Sequence, residues 1–282
     1  MKAAPFEYVR AHSVEEACAA LGDDAMIIAG GQTLVPLMAM RLARPSLLID
    51  INDIAALRGI AAENNAVAIK SCTRQADALA SPVVQQRLPL LAKALPFVGH
   101  GQTRNRGTIG GSIALGDPSA EIPLVAVALD ATVSLRSAKS SREIAAEEFF
   151  RSAMQTAREA NECLTEIIFP VWQGRVGVGF QEVAERQGDF AVVSACAQLE
   201  FDAGGVCRRA AVAVGGASPT PRRVPEAEKI LVGSKLDDKT AREAASRVAA
   251  VLDPTTDGHA TAEYRRRVAP ALVERAIKEA RL

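Results

Sequence analysis

Histidine occurs only three times in this chain and cysteine only five, and neither clusters. Cys18, Cys72, Cys163, Cys196 and Cys207 are scattered with no C-x-x-C pair, and His12, His100 and His259 are equally isolated. That spacing argues against zinc or iron–sulfur ligation by this chain. The odd cysteine count fits a reducing compartment, with the thiols acting as small buried hydrophobes. Excess charge is missing as well. Lysine plus arginine and aspartate plus glutamate both number 33, so no global field draws the chain to nucleic acid or anionic lipid. No apolar run approaches the roughly 20 residues of a membrane span, and the N-terminal MKAAPFEYVRAHS lacks a signal-peptide pattern. The expected location is cytoplasmic.

What is present reads as an ordinary globular protein. The 282 residues, 49% hydrophobic and 23% charged, suffice for a substantial core and suggest about two domains, or one with a smaller appendage. At the front, Ser13 to Glu16 fits a capping box that opens a short helix, which Gly22 can close. AMIIA reads as a buried strand broken by Gly30-Gly31. Thr33 is placed to cap the helix LVPLMAMRLA, where Pro36 fits the first turn, and SLLIDI reads as a further buried strand. Residues 1–52 therefore predict a βαβ unit with a parallel sheet.

Residues 53–171 read as a second α+β unit. AVAIKS is a strand, Thr73 and Ser81 are candidate caps of two helices, and Pro82 sits at a first helical position. A glycine-rich stretch follows, then LVAVALDATVSLRS passes from apolar helix to strand, and ECLTEIIFP is a strand ended by Pro170. Residues 172–282 form the third unit. GVGFQEVAER, VVSACAQLEF and VCRRAAVAVGGA alternate as antiparallel strands with a Gly204-Gly205 turn, and three helical segments follow. The basic run Tyr264-Arg265-Arg266-Arg267 in the last helix reads as a solvated face, with a subunit contact as the alternative.

Two glycine-rich stretches carry the chemistry. Gly30-Gly31-Gln32-Thr33 lies between a buried strand and a helix, where main-chain N–H groups and the helix N-terminus can receive an anion. Neither G-x-G-x-x-G nor G-x-x-x-x-G-K-[ST] is present, which weakens a Rossmann or P-loop assignment. Thr108-Ile109-Gly110-Gly111-Ser112, after the basic run Arg104-Asn105-Arg106, offers consecutive main-chain donors and two hydroxyls of the kind that form anion nests. Glu121 supplies an acceptor for a sugar or polyol hydroxyl. Two such cradles suit a long, bent ligand with a diphosphate in its middle, such as a dinucleotide.

At these residues a resemblance adds to the reading. A-G-G-Q-T-L-x-P-L-M at 29–38 and R-N-R-G-T-I-G-G-S at 104–112 resemble the signature of FAD-binding medium subunits of the molybdenum hydroxylases. Carbon monoxide, xanthine and nicotine dehydrogenases are of this type. F-Q-E-V-A-E-R-Q-G-D-F-A at 180–191 is similar to that family's F-x-K-x-x-x-R-x-x-D-x-A element. The resemblance spans essentially the whole chain.

It implies an α+β fold: a two-subdomain FAD-binding region of the vanillyl-alcohol-oxidase (PCMH-like) kind, followed by a C-terminal antiparallel sheet with helices, like that of the carbon monoxide dehydrogenase flavoprotein. Carried across by position, Ala29, Gly30, Gly31, Gln32 and Thr33 would form one pyrophosphate loop and Thr108, Ile109, Gly110, Gly111 and Ser112 the other. Glu121 would lie near the flavin's sugar-like chain, Leu164 would give an apolar contact, and Gln181 stands where the family often has lysine. Charge stabilisation of reduced flavin from position 181 is therefore not implied. Arg186 and Asp189 are open to two readings, a surface ion pair or a cofactor role.

The resemblance further implies partners: a large subunit carrying the molybdenum cofactor and a small one carrying [2Fe–2S] clusters, together a heterotrimer in which electrons reach this chain's FAD and leave to an external acceptor. No catalytic acid or base is required of this chain. Two rival readings stay open at this stage, a stand-alone FAD-dependent oxidoreductase of the same fold superfamily and a non-catalytic scaffold.

Overall fold

The computed structural model describes residues 2–282. In the N-terminal part, β1 (Glu7–Arg10), α1 (Val14–Ala20), β2 (Ala25–Ile28), α2 (Leu34–Ala39) and β3 (Leu47–Asp50) build a parallel sheet in the order β1-β3-β2. The parallel pairing follows from the helical crossovers, which return each strand to the same end of the sheet. Ser13 caps α1 by accepting from the Glu16 amide, and Glu16 reaches back to the His12 amide at 2.8 Å. Thr33, in contrast, makes no side-chain cap on α2. Its hydroxyl stays available to a ligand.

The second part contains β4 (Ile60–Glu63), β5 (Ala66–Lys70), α3 (Gln75–Ala80), α4 (Pro82–Arg87), α5 (Pro89–Ala94), α6 (Gly101–Arg106), α7 (Ile109–Leu115), α8 (Glu121–Ala128), β6 (Thr132–Arg136), β7 (Ser141–Ala145), α9 (Ala146–Phe149), the small hairpin β8 (Phe150–Ser152) and β9 (Gln155–Thr156), and β10 (Cys163–Pro170). Its antiparallel sheet runs β4-β5-β10-β6-β7. Ser81 caps α4, with Pro82 at its first turn. Thr73 does not cap α3; its hydroxyl instead bonds the Gly59 backbone at both N–H and C=O. Helix α8 is buried on every face, which its sequence EIPLVAVA permits because it carries one charge, at its first position.

The third part is a sheet of β11 (Arg175–Val183), β12 (Val193–Phe201), β13 (Cys207–Gly215) and β14 (Arg222–Arg223), followed by α10 (Pro225–Leu231), α11 (Asp238–Ser246) and α12 (Ala262–Glu279). One sheet face joins the core around α8 through Phe180, Cys196 and Ala213. The other packs on the three C-terminal helices through residues such as Val212, Leu199, Leu272 and Val273. The sheet is thus a partition, and α8 packs on one of its faces within the core it shares with the five-stranded sheet. All five cysteines are buried as free thiols. No helix among the described residues is long and apolar enough to cross a membrane.

Arg265 departs from the expected solvated face. It is only 5% exposed, whereas Arg266 and Arg267 are exposed. The difference follows from its carbonyl and carboxylate partners, which replace water around the guanidinium.

Candidate functional site

The two glycine stretches meet. A Cβ placed on Gly30 would lie 2.5 Å from the Arg106 carbonyl oxygen and 2.8 Å from Gly107 Cα, so only glycine allows this approach of the two segments. Both line one cavity of about 620 Å³, within the range typical of cofactor sites.

The first stretch has the form of an anion nest. Gly31 adopts a left-handed φ of 71°, turning the chain between β2 and α2. Among the described residues, the amides of Gly30, Gly31, Gln32 and Thr33 donate to no backbone or side-chain acceptor. Such donors at a strand-to-helix turn are what a diphosphate requires.

The second stretch corrects the sequence reading. It is not a loop of free donors but the end of α6 and the start of α7. The Ile109 amide donates to the Thr73 carbonyl at 3.0 Å, that of Gly110 to the Ser71 carbonyl at 2.9 Å, and those of Gly111 and Ser112 to the Thr108 hydroxyl and carbonyl. Capping by Thr108 uses the glycine-rich turn internally. Gly110 is required for packing, since a Cβ there would lie 2.6 Å from Ser71 Cα. What this segment offers a ligand is the surface of Gly111 and the hydroxyls of Thr108 and Ser112.

Of the residues expected at the site, Ala29, Gly30, Gly31, Gln32, Thr33, Thr108, Gly110, Gly111, Ser112, Glu121 and Leu164 all line the cavity. Ile109 does not; it is fully buried in the core around α8. Gln181 does not either, because its side-chain amide is turned to Glu279 Oε2 at 3.0 Å on α12. Asp189 lines the cavity, and Arg186 is exposed and forms no ion pair with it.

Other lining residues lay outside the sequence reading. Ser71 and Gln75 border the cavity, and their Oγ and Oε1 atoms are buried without a hydrogen-bond partner. No local motif marks SCTRQ; the one signal is indirect, in that glycine at 110 implies a close neighbour. Gly188 and Phe190 bring a loop of the third part to the mouth, with Gly188 against the His100 ring.

Glu121 stands at the first position of α8, 3% exposed. Burial raises its carboxyl to about 7, with the Asp117 charge adding to the effect. Burial also lifts Glu182 to about 8, helped by the charge of Glu121, and Glu182 Oε2 is buried without a partner. Near neutral pH Glu121 therefore holds a proton part of the time and can donate as well as accept.

The cavity lining thus combines polar groups with apolar side chains such as Ile51, Leu115 and Leu164. Residues 4–172 match the family described as the FAD binding domain in molybdopterin dehydrogenase, and residues 179–280 match the carbon monoxide dehydrogenase flavoprotein C-terminal domain. The chain belongs to the FAD-binding medium subunits of the carbon monoxide dehydrogenase and xanthine dehydrogenase family. It is 41% identical to the 6-hydroxypseudooxynicotine dehydrogenase complex subunit alpha of Paenarthrobacter nicotinovorans, over 99% of this chain and 96% of that one. Carbon monoxide dehydrogenase from Hydrogenophaga pseudoflava superposes with a TM-score of 0.95 at 36% identity, covering 99% of this chain and 98% of that one. Quinoline 2-oxidoreductase from Pseudomonas putida 86 does so with 0.94 at 35% identity, with 99% and 98% covered. This medium subunit is accordingly an oxidoreductase component with an FAD-binding domain.

The residues present fit that cofactor. A nest of free amides, the Thr33 hydroxyl that α2 leaves uncapped and the buried carboxyl of Glu121 belong to residues lining one cavity.

Proposed function

We propose that this chain holds FAD in the cavity between its two glycine stretches and serves as the electron exit of a molybdenum hydroxylase. Electrons would arrive from [2Fe–2S] clusters of a small partner subunit, and a large partner subunit would carry the molybdenum cofactor and act on the organic substrate. The observation that carries this reading is the set of undonated amides at Gly30 to Thr33 facing the same cavity as Ser112 and Glu121. Bound FAD supplies a carrier that accepts electrons and passes them on; the protein's part is binding, orientation and electrostatics.

The division of labour follows from the lining. Ala29 to Thr33 would hold the diphosphate through main-chain donors, assisted by the Thr33 hydroxyl that α2 leaves uncapped. The Thr108 and Ser112 hydroxyls, with the close surface of Gly111, would complete the opposite side. Glu121, buried and able to hold its proton, would bond a hydroxyl of the flavin's polyol chain. Leu164 would pack on the ring and help to exclude water. Gln181, held by Glu279, supplies no charge to the site.

The test is reconstitution with partners. The flavin of this chain should remain oxidised when the isolated chain meets organic substrates, and should be reduced when the small iron–sulfur and large molybdenum subunits are added. Copurification from the native source with molybdenum and iron would agree. Direct reduction of the isolated chain by an organic substrate would replace this reading with that of a stand-alone oxidoreductase.

A further inference from the structure

Arg265 lines no part of the cavity, yet it joins two of the walls. The residue is 5% exposed, and Nη1 donates to the carbonyls of Val192 and Gly216, both at 2.6 Å. Nη2 donates to Asp257 Oδ2 at 2.6 Å. Asp257 is itself fixed by the amides of His259 and Ala260 and is held down to about 2 despite its desolvation.

Each carbonyl leads to the cavity. Val192 ends the loop whose Gly188, Asp189 and Phe190 line the mouth. The Gly216 amide donates to the Pro118 carbonyl at 2.7 Å, which anchors the turn that carries Ala120 and Glu121. Gly216 also sits so close to Val192 that a Cβ on it would lie 2.6 Å from the Val192 carbonyl oxygen. The two walls therefore share one junction. A planar guanidinium fork satisfies two carbonyls and a carboxylate at once, which a lysine ammonium on a flexible stem does not reproduce in the same geometry.

We infer that Arg265 is a positioning residue for the flavin site, fixing from α12 the relative placement of the Gly188–Phe190 loop and the Glu121 turn. The inference rests on the FAD reading of the cavity. It places part of the cofactor's affinity in a helix that never reaches the cofactor, and it gives the C-terminal domain a role in shaping the site.

The test uses the full chain with FAD itself as the probe. Wild-type binding is measured first, because failure to bind FAD would strike the cavity reading and not this inference. Arg265→Lys should then raise the FAD dissociation constant at least tenfold and alter the shape of the visible flavin band. Leu231→Ala, in the same C-terminal core but on α10, which contributes no residue to the cavity, should lower the melting temperature while leaving affinity and band shape as in wild type. Asp257→Asn, which keeps both carbonyl bonds, should change affinity less than threefold. Unchanged binding in Arg265→Lys, or an equal loss of affinity in Leu231→Ala, would overturn the inference. Should Arg265→Lys not fold, hydrogen exchange on the wild type answers the same question. FAD should slow exchange at 257–265 as well as in the cavity walls, and protection confined to the cavity-lining residues would overturn it.

Discussion

Replacing Gly30 with alanine tests how closely the two glycine stretches must approach. Gly30 does not have a positive φ, so alanine carries no conformational penalty there and the effect is steric. The new methyl would lie 2.5 Å from the Arg106 carbonyl oxygen and 2.8 Å from Gly107 Cα, both backbone atoms. Ordinary contact begins near 3.4 Å, so one backbone must retreat by almost an ångström. Overpacking of this kind costs about 1–3 kcal/mol. A ligand that spans both segments loses its matched geometry as they part, and each 1.4 kcal/mol or so corresponds to about tenfold in affinity. Gly30→Ala is therefore expected to lower the melting temperature of the apoprotein and to weaken FAD about tenfold or more. Quenching of flavin fluorescence on titration gives the affinity and calorimetry the stability. Gly22→Ala, with nothing within 4 Å of the added methyl, is the matched control. Wild-type FAD affinity in folded Gly30→Ala would refute the idea that the ligand bridges the two stretches.

Three further outcomes are expected. Gln181→Ala should leave FAD affinity within twofold, because that side chain faces Glu279 and not the cavity; a tenfold loss in equilibrium dialysis would contradict this. Glu121 and Glu182 have folded-state values raised to about 7 and about 8, so their protonated forms favour folding below about 4.5 and that contribution is lost as pH rises through 7 and 8. Urea midpoints of the apoprotein should therefore fall between pH 5 and 8, with Glu121 accounting for up to about 3 kcal/mol, and Glu182→Gln should flatten the curve. Burial pushes the thiols of Cys163 and Cys196 up to about 12 and those of Cys72 and Cys207 to about 11. A disulfide reagent at neutral pH should accordingly find no fast-reacting thiol among them until the chain unfolds.

Local patterns made much of the fold legible. Strand-like runs such as AMIIA and SLLIDI became β2 and β3, Ser13 and Ser81 capped as their positions implied, and the Gly204-Gly205 turn joined β12 and β13. What escaped depends on distant partners. The hydroxyls and glycines of 108–112 imply a donor loop, but the sequence does not show the Ser71 and Thr73 carbonyls that receive the amides. Arg265 looked like its exposed neighbours Arg266 and Arg267, since nothing in RRR distinguishes the residue that faces Val192 and Gly216. Ser71 and Gln75 carry no motif and become conspicuous only as unpaired oxygens on a cavity wall. Gly30 to Thr33 read well because the signal is local: a glycine pair between a strand and a helix leaves the same amides free in the sequence and in the fold.

The most direct test of the cavity as an FAD site is the flavin content of the purified chain. Protein supplied with FAD should be yellow after gel filtration and should release FAD in equimolar amount on heat denaturation, without a covalent adduct. Folded protein that stays colourless after incubation with excess FAD would contradict the assignment.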